Sequence, residues 1–208
     1  LRNQSGVDFS LSRSSTIQRR IARRIVLTKQ NTLTGYARFL RGNAEELDSL
    51  FSDVLISVTS FFRNPEAFDV LRGKILPKLL AQRGDDPVRC WVLGCSTGQE
   101  AYSLAISFVE AARKAPRARK FQIVATDLNE KLLEKARQGL YTKTLAQEIS
   151  PERLRQLFVE EDGGYRISKA LRGMVVVARQ NRSADPPSQP RDLHRCRKPH
   201  LYPAPRLP

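Results

Sequence analysis

The residues best suited to chemistry fall in three places. Trp91-Val92-Leu93-Gly94-Cys95-Ser96-Thr97-Gly98-Gln99-Glu100 reads as a buried strand that ends in a loop of small residues and opens a helix. In an open α/β sheet, ligands bind beyond the carboxyl ends of the strands, and glycine there lets the backbone come close. A second apolar run ends in Ala125-Thr126-Asp127, and an acidic side chain at the tip of the next strand is placed to take both hydroxyls of a ribose. The loop has the form G-x-x-x-G. It is not the G-x-G-x-x-G of dinucleotide sites, and it lacks the Gly-Lys-Ser/Thr ending of a phosphate-cradling loop. With no diphosphate to hold, the matching ligand is a nucleoside with a short charged tail. The alternative is that Gly94 and Gly98 only tighten a strand-to-helix turn. The third place, Thr59-Ser60-Phe61-Phe62-Arg63-Asn64-Pro65, sets two aromatics beside an arginine ahead of a helix. Either it is a buried anchor that aims a polar group into a cleft, or it is hydrophobic packing with Arg63 in water.

These residues need elements to hold them. Residues 88–93 predict a strand, 99–114 a helix, 121–125 a strand and 130–137 a helix, and such alternation argues for an open parallel sheet with crossover helices. Asn64-Pro65 starts an amphipathic helix through Phe68, Leu71, Ile75, Leu79 and Leu80, broken by Gly84-Asp85-Asp86-Pro87. Ser150-Pro151 opens a short helix, Gly163-Gly164 predicts a turn, and residues 174–178 form an apolar run fit for a buried strand. Ahead of all this, residues 1 to about 56 read as a small all-helical unit. Ile17, Ile21 and Ile25 make one stripe, with Arg19, Arg20, Arg23 and Arg24 expected on the opposite side as a cationic strip. Leu33, Tyr36, Phe39 and Leu40 follow. Asn43 and Glu46 then resemble a capping box before Leu47, Leu50, Phe51, Val54 and Leu55.

Composition narrows the classes. At 208 residues with 40% hydrophobic content, the chain can bury one sizeable core, or one core plus a small satellite domain. No apolar run approaches the roughly 20 residues needed to span a bilayer, and no signal-peptide pattern opens the sequence, so the expected location is the cytoplasm, without membrane insertion. Leu1 in place of Met suggests a piece of a longer chain. Cys90, Cys95 and Cys196 lack zinc or redox spacing and read as free thiols, with no metal site expected. An excess of 36 Lys and Arg over 21 Asp and Glu gives +15, a sign that attracts polyanions, anionic lipid surfaces or acidic proteins without choosing among them. Seven prolines fall in the last 23 residues. Residues 183–208 are therefore expected to be irregular, with Pro199, Pro203 and Pro205 removing ladder donors.

S-adenosylmethionine fits the ligand described above, and the motifs together carry a resemblance. Thr59-Ser60-Phe61-Phe62-Arg63, the segment ending Glu100-Ala101-Tyr102-Ser103, Ala125-Thr126-Asp127 and Ala178-Arg179-Gln180-Asn181 occur in the order and approximate spacing of CheR-type chemotaxis-receptor methyltransferases. The sequence resembles that family over nearly all of residues 5–185. The resemblance implies an α/β protein with a helical N-terminal domain, residues 1–56, and a Rossmann-like S-adenosylmethionine-dependent domain, residues 57–208, incomplete at its C-terminal end. By matching positions, it places Thr59 and Arg63 at the methyl-transfer end of the cofactor. Glu100 and Asp127 match the residues that hold its charged and ribose groups, Asn181 a further contact, and Ser57 a polar contact of its own. Tyr202 falls where the family has a second polar group at the methyl. Gln99, Arg182, Lys198, Pro199 and His200 depart from the family pattern, and two further strands expected after them are missing.

The implied reaction is methyl-ester formation on receptor glutamates. A glutamate carboxylate, with a reference pKa near 4.3, needs no general base. The protein's task is alignment and exclusion of water, with Arg63 gripping the carboxylate by its planar fork. The arginine strip then suits an acidic helical segment of a receptor as partner. Two competing readings stand beside this one. A nucleic-acid methyltransferase is suggested by the charge and by Asp185-Pro186-Pro187, although Ser188 lacks the stacking face a flipped base needs, so no nucleic acid is expected. The other is a non-catalytic cofactor- or receptor-binding module.

Overall fold

The computed structural model describes residues 14–54, 59–81, 87–115, 120–180 and 193–196. They form two compact units, a helical one ending at Val54 and an α/β one beginning at Thr59.

The helical unit contains α1 (Ser14–Leu27), α2 (Leu33–Arg41) and α3 (Ala44–Val54). Ile17, Ile21 and Ile25 lie against Tyr36, Leu50 and Val54, joined by Phe39 and Leu40. The Thr32 hydroxyl caps α2 by accepting the Gly35 N–H at 3.0 Å, and Asn43 Oδ1 accepts the Glu46 N–H at 2.9 Å. That is half of the expected capping box. The other half does not form, because the Glu46 carboxylate turns inward. It accepts from Arg24 Nε at 2.9 Å and from the Tyr36 hydroxyl at 2.6 Å, while Arg24 Nη2 holds its second oxygen. Arg24 also stands 3.9 Å from Asp53. The expected strip of four arginines is thereby corrected: Arg19 and Arg23 are exposed, whereas Arg20 and Arg24 are half-buried. At about 100° per residue, Arg24 lies only about 20° around the helix from Ile17 and Arg20 about 60°, so both fall toward the apolar arc.

The α/β unit opens with α4 (Pro65–Val70), which runs through a π-helical turn (Leu71–Ile75) into α5 (Leu76–Ala81). There follow β1 (Val88–Leu93), α6 (Gln99–Ala112), β2 (Phe121–Asp127), α7 (Glu130–Gln138), β3 (Leu140–Thr142), a 3-10 turn (Lys143–Gln147) and α8 (Pro151–Leu157). The last elements described are β4 (Phe158–Glu161), β5 (Gly164–Ile167), α9 (Lys169–Arg172), β6 (Val175–Arg179) and β7 (Leu193–Cys196). The main sheet has the order β6-β2-β1-β7, and every pair is parallel. Its central strand carries Val88, Cys90, Trp91, Val92 and Leu93, all buried, as a strand covered on both faces requires. Helix α6 is buried continuously from Glu100 to Phe108. The order reverses at β1, with β2 and β6 on one side and β7 on the other, so the loop after β1 sits at the switch point where such sheets bind ligands.

Two features depart from expectation. β3, β5 and β4 form a separate antiparallel sheet in that order, with the turn at Gly163 joining β4 to β5. Their brevity hides them among helical signals. The other departure is β7, inside the stretch expected to be irregular: Leu193 pairs opposite Cys90 and Cys196 opposite Leu93. Pro190 and Pro199 leave a proline-free window between them, wide enough for a short strand. The backbone donors and acceptors along that side of β1 supply its partners whatever the side chains.

The Arg24 hydrogen bond holds the Glu46 carboxyl below the ordinary glutamate value. Its stabilising contribution is therefore complete above the unfolded value of 4.5 and lost as pH falls through the lower folded value. Glu46→Gln should cost roughly 2 kcal/mol and leave Arg24 poorly paired. Thermal denaturation followed over acid pH should show a lower melting temperature and a flatter acid limb than in the unmodified chain.

Candidate functional site

The loop after β1 turns through three left-handed residues, Gly94 (φ 66°), Ser96 (φ 54°) and Gly98 (φ 91°). Its two glycines serve different ends. A Cβ on Gly98 would stand 3.1 Å from Ala136 Cβ and from Tyr102 Cε2, and 3.3 Å from the Tyr141 hydroxyl, so Gly98 lets the loop close onto α7. A Cβ on Gly94 would meet nothing within 4 Å. Gly98 accounts for the tight turn, and Gly94 leaves an open approach to the backbone at the carboxyl end of β1.

Asp127, the last residue of β2, braces this loop. Its Oδ2 accepts the Ser96 N–H at 2.8 Å, and its Oδ1 accepts the N–H groups of Leu128 at 2.8 Å and Asn129 at 3.0 Å. A carboxylate offers about four acceptor directions. Among the described residues, three of them are taken, and a direction on Oδ2 is left for a hydroxyl donor. The Cys95 N–H donates to the Thr126 carbonyl at 2.9 Å, and Trp91 Nε1 donates to Thr126 Oγ1 at 2.9 Å, so the two strand ends are locked together.

Glu100 is 3% exposed in the first turn of α6, where the helix end favours negative charge. Burial and the charges of Asp127 and, less strongly, Glu100 push the Cys95 thiol up. That shift keeps Cys95 protonated. Among the described residues, the strand ends thus present open backbone, an acceptor direction on Asp127 and two nearby carboxylates, a set that suits a nucleoside bearing a cationic tail. S-adenosylmethionine, with its ribose, sulfonium and ammonium groups, fits these residues.

The aromatic segment is an anchor. The buried Phe61 ring meets Tyr141 edge-on at 5.0 Å and Phe158 at 6.0 Å, and its N–H donates to Glu148 Oε2 at 2.7 Å. The Phe62 N–H donates to Ser103 Oγ at 3.0 Å, and that hydroxyl donates to the Gln99 carbonyl at 2.7 Å. The guanidinium of Arg153 lies 4.2 Å over the Phe62 ring. Phe62 (φ 46°) and Asn64 (φ 61°) are both left-handed, a conformation that non-glycine residues hold only when their surroundings fix it. Arg63 is exposed and follows directly on an amide fastened to the first turns of α6, while Thr59 is half-buried. Phe61 is part of the core, Phe62 packs half-buried against it, and Arg63 is exposed beside them.

Ser57, Asn181 and Tyr202 lie outside the described residues. The Gln180 N–H donates to the Asp127 carbonyl at 3.2 Å, which brings the end of β6 beside the tip of β2. Sequence reasoning missed Ser103, Tyr141 and Glu148 as supports of the site. The hydroxyls of Ser103 and Ser107 inside an otherwise apolar helix were a usable signal; Tyr141 and Glu148 gave none, being tied to their partners only by the fold.

Gly98→Ala should lower stability by about 1 to 3 kcal/mol through strain and overlap. Gly94→Ala should cost about 1 kcal/mol from its left-handed backbone but weaken binding of S-adenosylhomocysteine more than Gly98→Ala does at equal folded fraction. Denaturant melts and calorimetric titration of both variants check the contrast.

Comparison with known proteins agrees with this arrangement. The family described as CheR methyltransferase, SAM binding domain, matches residues 57–202, and CheR methyltransferase, all-alpha domain, matches residues 1–55. A Rhodobacter capsulatus protein described as an uncharacterized 104.1 kDa protein in the hypE 3' region is 38% identical over 197 residues, covering 94% of this chain and 21% of that protein. Chemotaxis protein methyltransferases of Listeria innocua and Listeria monocytogenes are 32% and 33% identical over 198 residues, each comparison covering 95% of this chain and 73% of the relative. The chain therefore spans about a fifth of the first relative and about three quarters of the other two. With an all-alpha domain followed by an S-adenosylmethionine-binding domain that contains the parallel sheet, the chain belongs to the CheR methyltransferase family.

Proposed function

We propose that the α/β unit binds S-adenosylmethionine across the carboxyl ends of β1 and β2 and methylates glutamate side chains on an acidic helical segment of a chemotaxis receptor. The observation that carries this reading is the Asp127 carboxylate, held by three backbone N–H groups with an acceptor direction left on Oδ2 among the described residues. Asp127 takes a ribose hydroxyl there, Gly94 gives the ligand room, and Glu100 balances its cationic tail. Thr59 and Arg63 lie toward the methyl end. By their family positions, Ser57 and Asn181 add cofactor contacts and Tyr202 a second polar group at the methyl.

The cofactor supplies a methyl group activated on a positively charged sulfur. The substrate carboxylate is ionised at neutral pH, so no residue of this chain has to remove a proton. Arg63 holds one carboxylate oxygen through its planar fork and leaves the other oriented for attack. The Phe61–Phe62 anchor keeps Arg63 from wandering, which is the orientation such a transfer depends on. On α1, Arg19 and Arg23 present exposed cations for an acidic partner, whereas Arg24 is committed to Glu46. Among the described residues, no helix is long and apolar enough to cross a membrane. The buried free thiol Cys95 suits the reducing cytoplasm.

Transfer of labelled methyl groups to a receptor fragment, with RNA and DNA as alternative acceptors, separates this reading from a nucleic-acid methyltransferase. Arg63→Lys should lower kcat by about tenfold or more while changing S-adenosylhomocysteine affinity less than about twofold. Full turnover in that variant would exclude the proposed role. Reversal of Arg19 and Arg23 to Glu should weaken receptor binding and reduce its salt dependence, with little change in melting temperature. Binding that survives the reversal would mean the two arginines only face water.

A further inference from the structure

The middle residue of the three-residue strand β3 touches both halves of the site. The Tyr141 hydroxyl donates to the Thr97 carbonyl at 2.8 Å, inside the loop after β1. Its ring meets Phe61 edge-on at 5.0 Å and Tyr102 at 6.4 Å. Burial holds the phenol well above its ordinary value, so it stays protonated and remains a donor. From Phe61 the chain continues to Phe62, whose amide rests on Ser103 and through it on the Gln99 carbonyl. Thr97 and Gln99 are themselves joined, Thr97 Oγ1 donating to Gln99 Oε1 at 2.6 Å. The contacts therefore close a ring: Thr97, Tyr141, Phe61, Phe62, Ser103, Gln99 and back to Thr97.

We infer that Tyr141 is a positioning residue that couples occupancy of the cofactor loop to the placement of Arg63. A closed ring transmits a displacement that an open chain of contacts would absorb. If the loop tightens on a ligand, the Thr97 carbonyl carries the phenol with it, and the Tyr141 ring bears on Phe61, two residues ahead of Arg63. Ser103 fixes the other end at the first turns of α6, so the segment cannot drift away from the loop. The left-handed backbone at Phe62, directly ahead of Arg63, is held in place by this ring. The inference rests on the reading that the loop holds S-adenosylmethionine and that Arg63 addresses the substrate.

The test combines calorimetric titration of S-adenosylhomocysteine with hydrogen exchange of the amides in residues 59–63, with and without that ligand. In the unmodified chain, saturating ligand should slow exchange at Phe61 and Phe62 by about threefold or more. Tyr141→Phe keeps the ring and loses only the bond to Thr97. It should bind about three- to tenfold more weakly and lose most of the slowing at saturation, with a melting temperature lowered by only a few degrees. Phe61→Leu keeps the bond and removes the ring contact, so it should bind nearly normally and also lose the slowing. Undiminished slowing in Tyr141→Phe, whatever its affinity, would overturn the coupling and leave Tyr141 as a filler of the core. No binding by the unmodified chain would overturn the cofactor reading and this inference together, whereas binding with unchanged behaviour in both variants overturns this inference alone.

Discussion

The carboxylate of Asp127 fixes the geometry on which the site depends. A parallel sheet leaves the ends of its strands as separate chains heading in one direction, and nothing in the ladder itself sets the path of the loops beyond. Here one side chain at the tip of β2 accepts the Ser96 amide from the loop after β1 and the Leu128 and Asn129 amides of its own turn. Hydrogen bonds to a charged acceptor contribute about 1.5 to 3 kcal/mol each, enough for three of them to hold a small-residue loop in left-handed turns. The same carboxylate is the ribose acceptor in the proposed function. Bracing and binding are thus two uses of one group, and its orientation is settled before any ligand arrives.

Around that point the α/β unit works by fastening backbone amides to side chains distant in sequence. Phe61 and Phe62 are held by Glu148 and Ser103, and Thr97 is held by Tyr141. Each bond satisfies a donor or acceptor that would otherwise be costly in a half-buried turn. The result is an exposed arginine on a rigid stem, which suits a reaction whose demand is alignment rather than proton transfer. The helical unit uses the same device. Glu46, which begins α3 as an expected capping partner, instead gathers Arg24 from α1 and Tyr36 from α2, so a single buried carboxylate ties three helices together.

What the sequence made legible was local. The run from Trp91 to Glu100 announces strand, loop and helix because hydrophobic residues, small residues and an acidic helix start follow one another without a gap, and Asp127 stands out as a charge ending an apolar run. The family resemblance added Arg63 and Thr59, whose types alone left two readings open. Spacing by fours does not reveal the place of Arg20 and Arg24, which the angular step around α1 carries toward the isoleucine stripe. The weight given to proline hid β7, because a short window between two prolines suffices when β1 offers a ready backbone. Ser103, Glu148 and Tyr141 could not be read as supports at all, since their partners are 41, 87 and 44 residues away in the chain and only the fold brings them together.

The central claim is that Asp127 binds the ribose of S-adenosylmethionine while bracing the loop, and calorimetric titration of S-adenosylhomocysteine into the unmodified chain and into Asp127→Ala tests it most directly. The account predicts saturable one-to-one binding by the unmodified chain and a loss of about 1 to 3 kcal/mol in the variant, accompanied by faster exchange of the Ser96 amide as its acceptor disappears. Equal affinity in the two proteins, or a Ser96 amide that exchanges no faster in the variant, would contradict it.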